Sequence, residues 1–171
     1  MSGVADQVTL TPAEGISVEW DTDAVRALAN DDAHPQPAWR LDGALAPGFS
    51  ALRVVSGATA DGTLLLLCAA RPEAAAHHDE DAVAAVLVSP EGEPEAVEEA
   101  LVSTEYAADG AIRRLGLELY KEGDDYPVRG AGDATGGGAA AAEGERRDVA
   151  ELAFRLDGSA GAALYEVVRP A

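Results

Sequence analysis

The stretch FSALRVVSGATADGTLLLLCAA, Phe49–Ala70, decides the fold. Phe49–Ser56 and Thr63–Ala70 are apolar runs of strand length, and Asp61-Gly62 lies between them. Glycine accepts positive φ without strain, so Asp-Gly between two apolar runs is a strong short-range hairpin signal. The same dipeptide recurs at Asp42-Gly43, Asp109-Gly110 and Asp157-Gly158. Two of these copies sit in nearly identical settings, Trp39-Arg40-Leu41-Asp42-Gly43 and Phe154-Arg155-Leu156-Asp157-Gly158. Beyond the turn they diverge, ALAPGFSALRVV against SAGAALYEVVRP. A hairpin device used repeatedly is therefore favoured over a duplicated binding element, with a weak repeat of barrel halves as the other reading.

The rest of the chain extends this pattern in both directions. Ala82–Val88 reads as a strand and Ser89–Pro94 as a loop. Ala96–Tyr106 is ambiguous, with a Glu-rich start suited to a helix and a second half that alternates like a strand. In Ala111–Lys121, Leu115, Leu117 and Leu119 share one face while Glu118 and Tyr120 take the other, the period of a half-exposed strand. Asp148–Leu156 and Gly161–Arg169 make a last hairpin around Asp157-Gly158. The low-complexity run 131–144 holds GGGAAAAEG, whose glycine content predicts a flexible loop. Ahead of the main pattern, Gln7–Leu10 and Ile16–Trp20 read as short strands and Asp23–Ala29 as a helical turn capped by Asp23. The expected division is an N-terminal segment over residues 1–37 and a β-barrel domain over residues 38–171. The fold class is all-β, an antiparallel meander forming a barrel or a sandwich.

At 171 residues the chain can bury a substantial core. With 31 acidic and 12 basic side chains, its formal charge is −19. That excludes nucleic acid as an expected partner and disfavours anionic membrane, because both need a basic surface. Lys121 is the only lysine, and acid-rich, lysine-poor usage suits either a salt-rich, halophilic cytoplasm in which charge repulsion is screened or simply a soluble acidic protein. Cys68 is the only cysteine and lies in an apolar run, so it is expected to be a buried thiol rather than a nucleophile. MSGVADQVTL lacks the basic start and apolar block of a signal peptide, and no apolar run approaches the ~20 residues of a membrane helix. A cytoplasmic protein is expected.

Several features together resemble a known family. They are the aromatic-Arg-Leu-Asp-Gly entry, the Gly57-to-Gly62 hairpin, the segment LGLELYKEGDDYPVRG, and FRLDGSAGAALYEVVRP near the C-terminus. Over about residues 39–169 the chain resembles the C-terminal half of the AttH-like, hydroxyneurosporene-synthase-like family of lipocalin-like proteins. The family's late D-G-x-x-G-x-x-x-x-E pattern falls on Asp157, Gly158, Gly161 and Glu166. Family members typically carry two lipocalin-like halves, of which one is matched here, and Ala162-Ala163-Leu164 replaces the usual glycine before the final Tyr-Glu. The resemblance implies a calycin-type barrel and a hydrophobic small ligand of lipid or isoprenoid class. Members that hydrate isoprenoids make a hydratase or lyase the alternative to simple binding. No catalytic residue is carried over.

Candidate site residues follow from this expectation. Trp20, Trp39, Phe49 and Tyr120 could fill a core or line a ligand cavity, since such cavities are chiefly apolar. Glu118 and Glu166, paired with Tyr120 or Arg113, would be the acid–base groups if they faced inward, because an apolar lumen disfavours their charged form. Glu105 is a third strand carboxylate, and all three point to solvent on the simpler reading. His77 and His78 in the string HHDED are the only metal-ligand candidates, and adjacent residues on an extended chain face opposite ways. No cofactor is expected: the glycines at 136–138 are not followed by Lys-Ser/Thr. Thr63–Ala70 and Ala82–Val88 are apolar on both faces, so something must cover their outer side. The N-terminal segment, a second copy in a homodimer, or another chain could do so. A third reading is an acidic interaction domain with a filled core.

Overall fold

The computed structural model describes residues 7–30, 38–41, 45, 47–75, 81–142 and 144–170. The chain opens with β1 (Gln7–Ala13), β2 (Ile16–Asp21), the helix α1 (Thr22–Ala29) and β3 (Trp39–Leu41). These strands form a three-stranded antiparallel sheet in the order β1-β2-β3. Along β2 the buried positions alternate as Ile16, Val18 and Trp20, the period-two pattern of a strand with one covered face. Asp21 caps α1, its carboxylate accepting from the backbone N–H groups of Asp23 and Ala24.

The remaining eight strands are β4 (Phe49–Thr59), β5 (Leu64–Pro72), β6 (Ala82–Val88), β7 (Pro94–Tyr106), β8 (Ile112–Lys121), β9 (Val128–Ala142), β10 (Glu145–Leu156) and β11 (Ser159–Pro170). Each pairs antiparallel with the next, and β11 returns to β4, closing the barrel. The ladders are unequal. β10 and β11 share twelve paired positions, whereas β6 and β7 share only Val86↔Ala96, Leu87↔Glu95 and Val88↔Pro94.

The turns show why the chain meanders. Leu156 pairs with Ser159 across Asp157-Gly158, and both turn residues have positive φ, 50° and 86°. This is the two-residue turn whose backbone matches strand twist. The hairpins at 59–63, 89–93 and 107–111 share a second form. In each, the first residue's N–H donates to the carbonyl of the last, and the glycine N–H donates back to the first residue's carbonyl. The glycines concerned, Gly62, Gly92 and Gly110, all have positive φ. At 59–63 the Asp61 carboxylate accepts from the Thr59 hydroxyl and the Thr63 N–H, which hold it below its ordinary pKa. The expected reuse of one turn chemistry holds at these hairpins; Asp42-Gly43 lies outside the described residues.

The barrel separates two cores. Its lumen holds Val55, Leu65, Leu67, Leu115, Leu117, Leu119, Leu152, Phe154 and Tyr165 among others. Phe154 lies against Gly57, where a Cβ would approach its ring to 2.8 Å, so the glycine makes room for the largest apolar side chain of the lumen. The second core lies outside the wall. Leu52, Val54, Leu64, Leu66, Cys68 and Val86 point outward from β4, β5 and β6 and pack against Ile16, Val18, Trp20, Val25 and Trp39. The apolar outer face of these strands is therefore covered by the N-terminal sheet and helix of the same chain.

Three expectations are corrected. The run 131–144 is not a loop: Val128–Ala142 is a strand that pairs with β10 from Gly130↔Leu156 to Ala142↔Glu145. Its small residues are needed where the two strands crowd, since a Cβ on Gly132 would meet Leu152 at 3.0 Å. The cap of α1 is Asp21 rather than Asp23. β3 joins the N-terminal sheet, so the barrel begins at Phe49 rather than at residue 38. The segment at 96–106, whose pattern allowed helix or strand, is strand throughout.

Two outcomes follow. At Gly161 a Cβ would sit 1.9 Å from the Ala58 carbonyl oxygen, whereas at Gly138 it would meet nothing within 4 Å. Gly161→Ala is expected to lower stability in urea denaturation by about 3 kcal/mol or more, and Gly138→Ala by under about 0.5 kcal/mol. Cys68 lies under the N-terminal cover, and burial pushes its thiol up to about 12. Labelling by a thiol reagent at pH 8 is expected to rise only with the unfolding transition seen by circular dichroism.

Candidate binding site at the barrel mouth

The lumen is apolar over most of its length and polar at one end. The alternation that sends Val55 inward on β4 also sends Arg53 inward, two residues earlier. Arg71 follows Leu65 and Leu67 on the inner face of β5, and Asp81 stands just ahead of β6. The Asp81 carboxylate is 1% exposed and bridges both cations: Arg53 Nη2 donates to Oδ2 at 2.6 Å and Arg71 Nε to Oδ1 at 3.1 Å. Arg53 Nη1 also donates to the Tyr165 hydroxyl at 3.2 Å, which shares a 2.7 Å hydrogen bond with Thr104. Burial alone would lower the Arg53 pKa. Tyr165 and Asp81 outweigh that effect and hold it above its ordinary value.

A second cluster stands at the rim of the same end. Arg146 and Asp148 share the inner face of β10 with Ala150, and Arg169 that of β11 with Val167. Asp148 accepts from Arg146 at 3.3 Å and from Arg169 at 3.0 Å. Between this cluster and the hairpin at 107–111 lies a cavity of about 670 Å³. It opens where β8 and β9 part, since their ladder stops at Arg114↔Asp133 while β9 continues along β10. Its walls combine Tyr106, Asp109, Arg146, Asp148 and Arg169 with Ile112, Ala150 and Val167, and the glycines at 136–138 keep one side bare. The Tyr106 phenol is raised by burial and by Tyr165, and is drawn back down by Arg53, Arg169 and Arg71. A shallower groove of about 530 Å³ runs between Leu101, Arg114, Glu118 and Arg155.

The sequence-predicted residues lie elsewhere. Trp20 is fully buried between the N-terminal sheet and the outer wall, where its Nε1 donates to the Ser56 hydroxyl at 2.9 Å. Trp39 pairs with Trp20 across β2 and β3 and donates to Glu166, while Arg147 lies 4.5 Å above its ring. Phe49 packs against the same outer core. Glu166 points outward between inward Tyr165 and Val167, so it is covered by the N-terminal sheet and is not in the lumen. Burial raises its pKa, and Arg147 opposes the rise. Glu118 and Tyr120 also face outward, joined by a 3.4 Å hydrogen bond, with Arg129 at 3.9 Å. Glu105 is exposed and pairs with Arg113 and Arg114. None of these carboxylates reaches the lumen. His77 and His78 lie outside the described residues, among which no cluster of ligating side chains could hold a metal ion. Sequence reasoning missed Arg53, Arg71 and Asp81. The available signal was an arginine at an inward-parity position within an apolar strand.

No family model and no curated protein matches the sequence. In three dimensions the chain is similar to the crystal structure of a "putative AttH" from Nitrosomonas europaea. The TM-score is 0.52 at 17% identity, over 76% of this chain and 43% of that one. The chain thus spans less than half the length of that protein. The likeness is one of fold, a lipocalin-like β-barrel. No helix among the described residues is long and apolar enough to cross a membrane.

The raised pKa of Glu166 has a definite sign. The folded state binds this proton more tightly than the unfolded chain, so stability falls as pH rises from the ordinary glutamate value through the raised one. Glu166→Gln keeps an acceptor for Trp39 but carries no charge. In urea titrations the variant is expected to be more stable than the parent at pH 7, and the gap should close below about pH 4.

Proposed function

We propose that this chain is a lipocalin-like binding protein that takes a small, largely apolar molecule at the barrel mouth, without catalysing a reaction on it. The cavity between the 107–111 hairpin and the β9–β10 arm carries this reading. Its volume of about 670 Å³ suits a small ligand. Its lining is mixed, with apolar area from Ile112, Ala150 and Val167 and a few polar groups to orient what enters. The rest of the lumen is filled by its own side chains, from Leu65 to Phe154, so the ligand sits at the mouth and not deep in the barrel. The lipocalin-like fold supports the same reading. The hydratase alternative rests on Glu118 or Glu166 facing inward beside Tyr120 or Arg113, and both carboxylates face outward.

The inner-face residue Ala139 tests the location. It pairs with Asp148, is exposed, and lines the cavity. The parent is expected to bind the neutral dye Nile red saturably and with one-to-one stoichiometry. Ala139→Phe should weaken that binding by about tenfold or more, a loss of about 1.4 kcal/mol, with its thermal midpoint unchanged. Equal dye affinity in parent and variant would mean that the mouth is not the site.

A further inference from the structure

We propose that the mouth takes a short, uncharged, extended polypeptide segment with apolar side chains at alternate positions, which adds as a strand to the free edge of β9. This deepens the binding function just given by naming its ligand class. β9 pairs on one side with β10 as far as Ala142, but on the other with β8 only as far as Asp133. From Ala134 onward, that second edge has no ladder partner among the described residues. Such an edge offers main-chain N–H and C=O groups at strand spacing, which an extended backbone complements. Edges of this kind are commonly guarded by charge or proline, and residues 134–142 carry neither.

The cavity lies along this edge. Gly136 to Ala139 form one side of it, and Asp109 to Ile112, the hairpin that leads into β8, form the other. β8 is the neighbour of β9 on that side, so the space between them continues the sheet. A strand rises about 3.4 Å per residue, so Gly136–Ala139 pairs with a segment of about four residues. The hairpin closes the far side, which favours a lone strand over the β9 of a second copy with its β10 behind it. The lining selects the chemistry of the segment. Asp109 and Asp148 stand against Arg146 and Arg169, so the walls carry no net charge to attract an ion. Inward side chains of the added strand meet Ile112, Ala150 and Val167. Outward ones face water beside Glu151, whose carboxylate overlies Gly136. Apolar and polar residues in alternation fit these two faces. Main-chain bonds then give affinity, and the inward side chains give specificity.

The probe is the peptide acetyl-Ser-Val-Thr-Val-Ser-amide, titrated against protein-bound Nile red. In a strand, the N–H groups of alternate residues point to opposite edges. Two N-methylated isomers therefore separate strand pairing from apolar contact, one methylated at both valines and the other at the threonine and the last serine. The unmodified peptide should displace the dye. One isomer, and not the other, should bind at least about fivefold more weakly, because only one loses the donors that face β9. At saturation, alternate amides of residues 134–139 should exchange with solvent at least about tenfold more slowly. No displacement, equal weakening by both isomers, or protection that spares residues 134–139 overturns strand addition and leaves the dye-binding barrel intact. Protection of the same amides that grows with protein concentration alone assigns the edge to a second copy and overturns it too. Failure of Nile red itself to bind removes the small-molecule reading, and the amide protection given by the peptide then decides strand addition.

Discussion

The structure depends on an asymmetry in the barrel wall: β4, β5 and β6 are largely apolar on both faces, while β7 to β10 present mostly charged or small residues to water. An eight-stranded barrel satisfies only the inner faces of its strands. The outer face of the apolar third must be buried by something else, at about 25 cal/mol for each Å² removed from water. Here the chain supplies it from its own N-terminal sheet and helix. Trp20 and Trp39 cross that boundary, and each also brings a polar N–H that needs an acceptor on the barrel side. Ser56 and Glu166 provide them. Their outward placement, which removes Glu166 from the lumen, follows from serving this joint.

The same alternation decides what the lumen contains. Leucines and Phe154 fill it where they face one another. At the end where Arg53 and Arg71 take inward positions, the wall needs an anion to hold them, and Asp81 is nearly inaccessible as a result. A buried ion pair gains little net stability over apolar residues of similar size, because desolvation offsets attraction. The cluster is therefore poorly explained as a stabilising device.

The sequence made the meander legible because its turns are chemically explicit. Asp157-Gly158 and the glycines at 62, 92 and 110 adopt the positive φ that their positions require. The need for a cover was legible too, in the double-sided apolarity of TLLLLCAA. Two things were not. β9 reads as flexible because glycine and alanine carry no pattern, yet its partner β10 imposes the register and the crowding at Gly132 requires small residues. The polar cluster around Arg53 was missed for a different reason. A charged residue in an alternating strand is ordinarily taken to face water, and the usual signal reverses when partners from distant parts of the chain converge on it. Arg53 meets Asp81, Tyr165 and, through Tyr165, Thr104, residues separated by long stretches of chain. No local window contains that meeting.

The uneven ladders have a mechanical consequence. Parting β10 from β11 breaks twelve paired positions, while parting β6 from β7 breaks three. Fluctuations of a closed sheet concentrate where the fewest rungs must yield. The wall therefore has a seam, and the molecule behaves as a clasped cuff rather than a rigid tube. Asp81 stands at the beginning of β6, on one side of the seam, and Thr104 lies on β7, on the other. Arg53 and Tyr165 link the two across the lumen. The polar end thus acts as the clasp, and whatever loosens or tightens those side chains also sets how often the cuff opens.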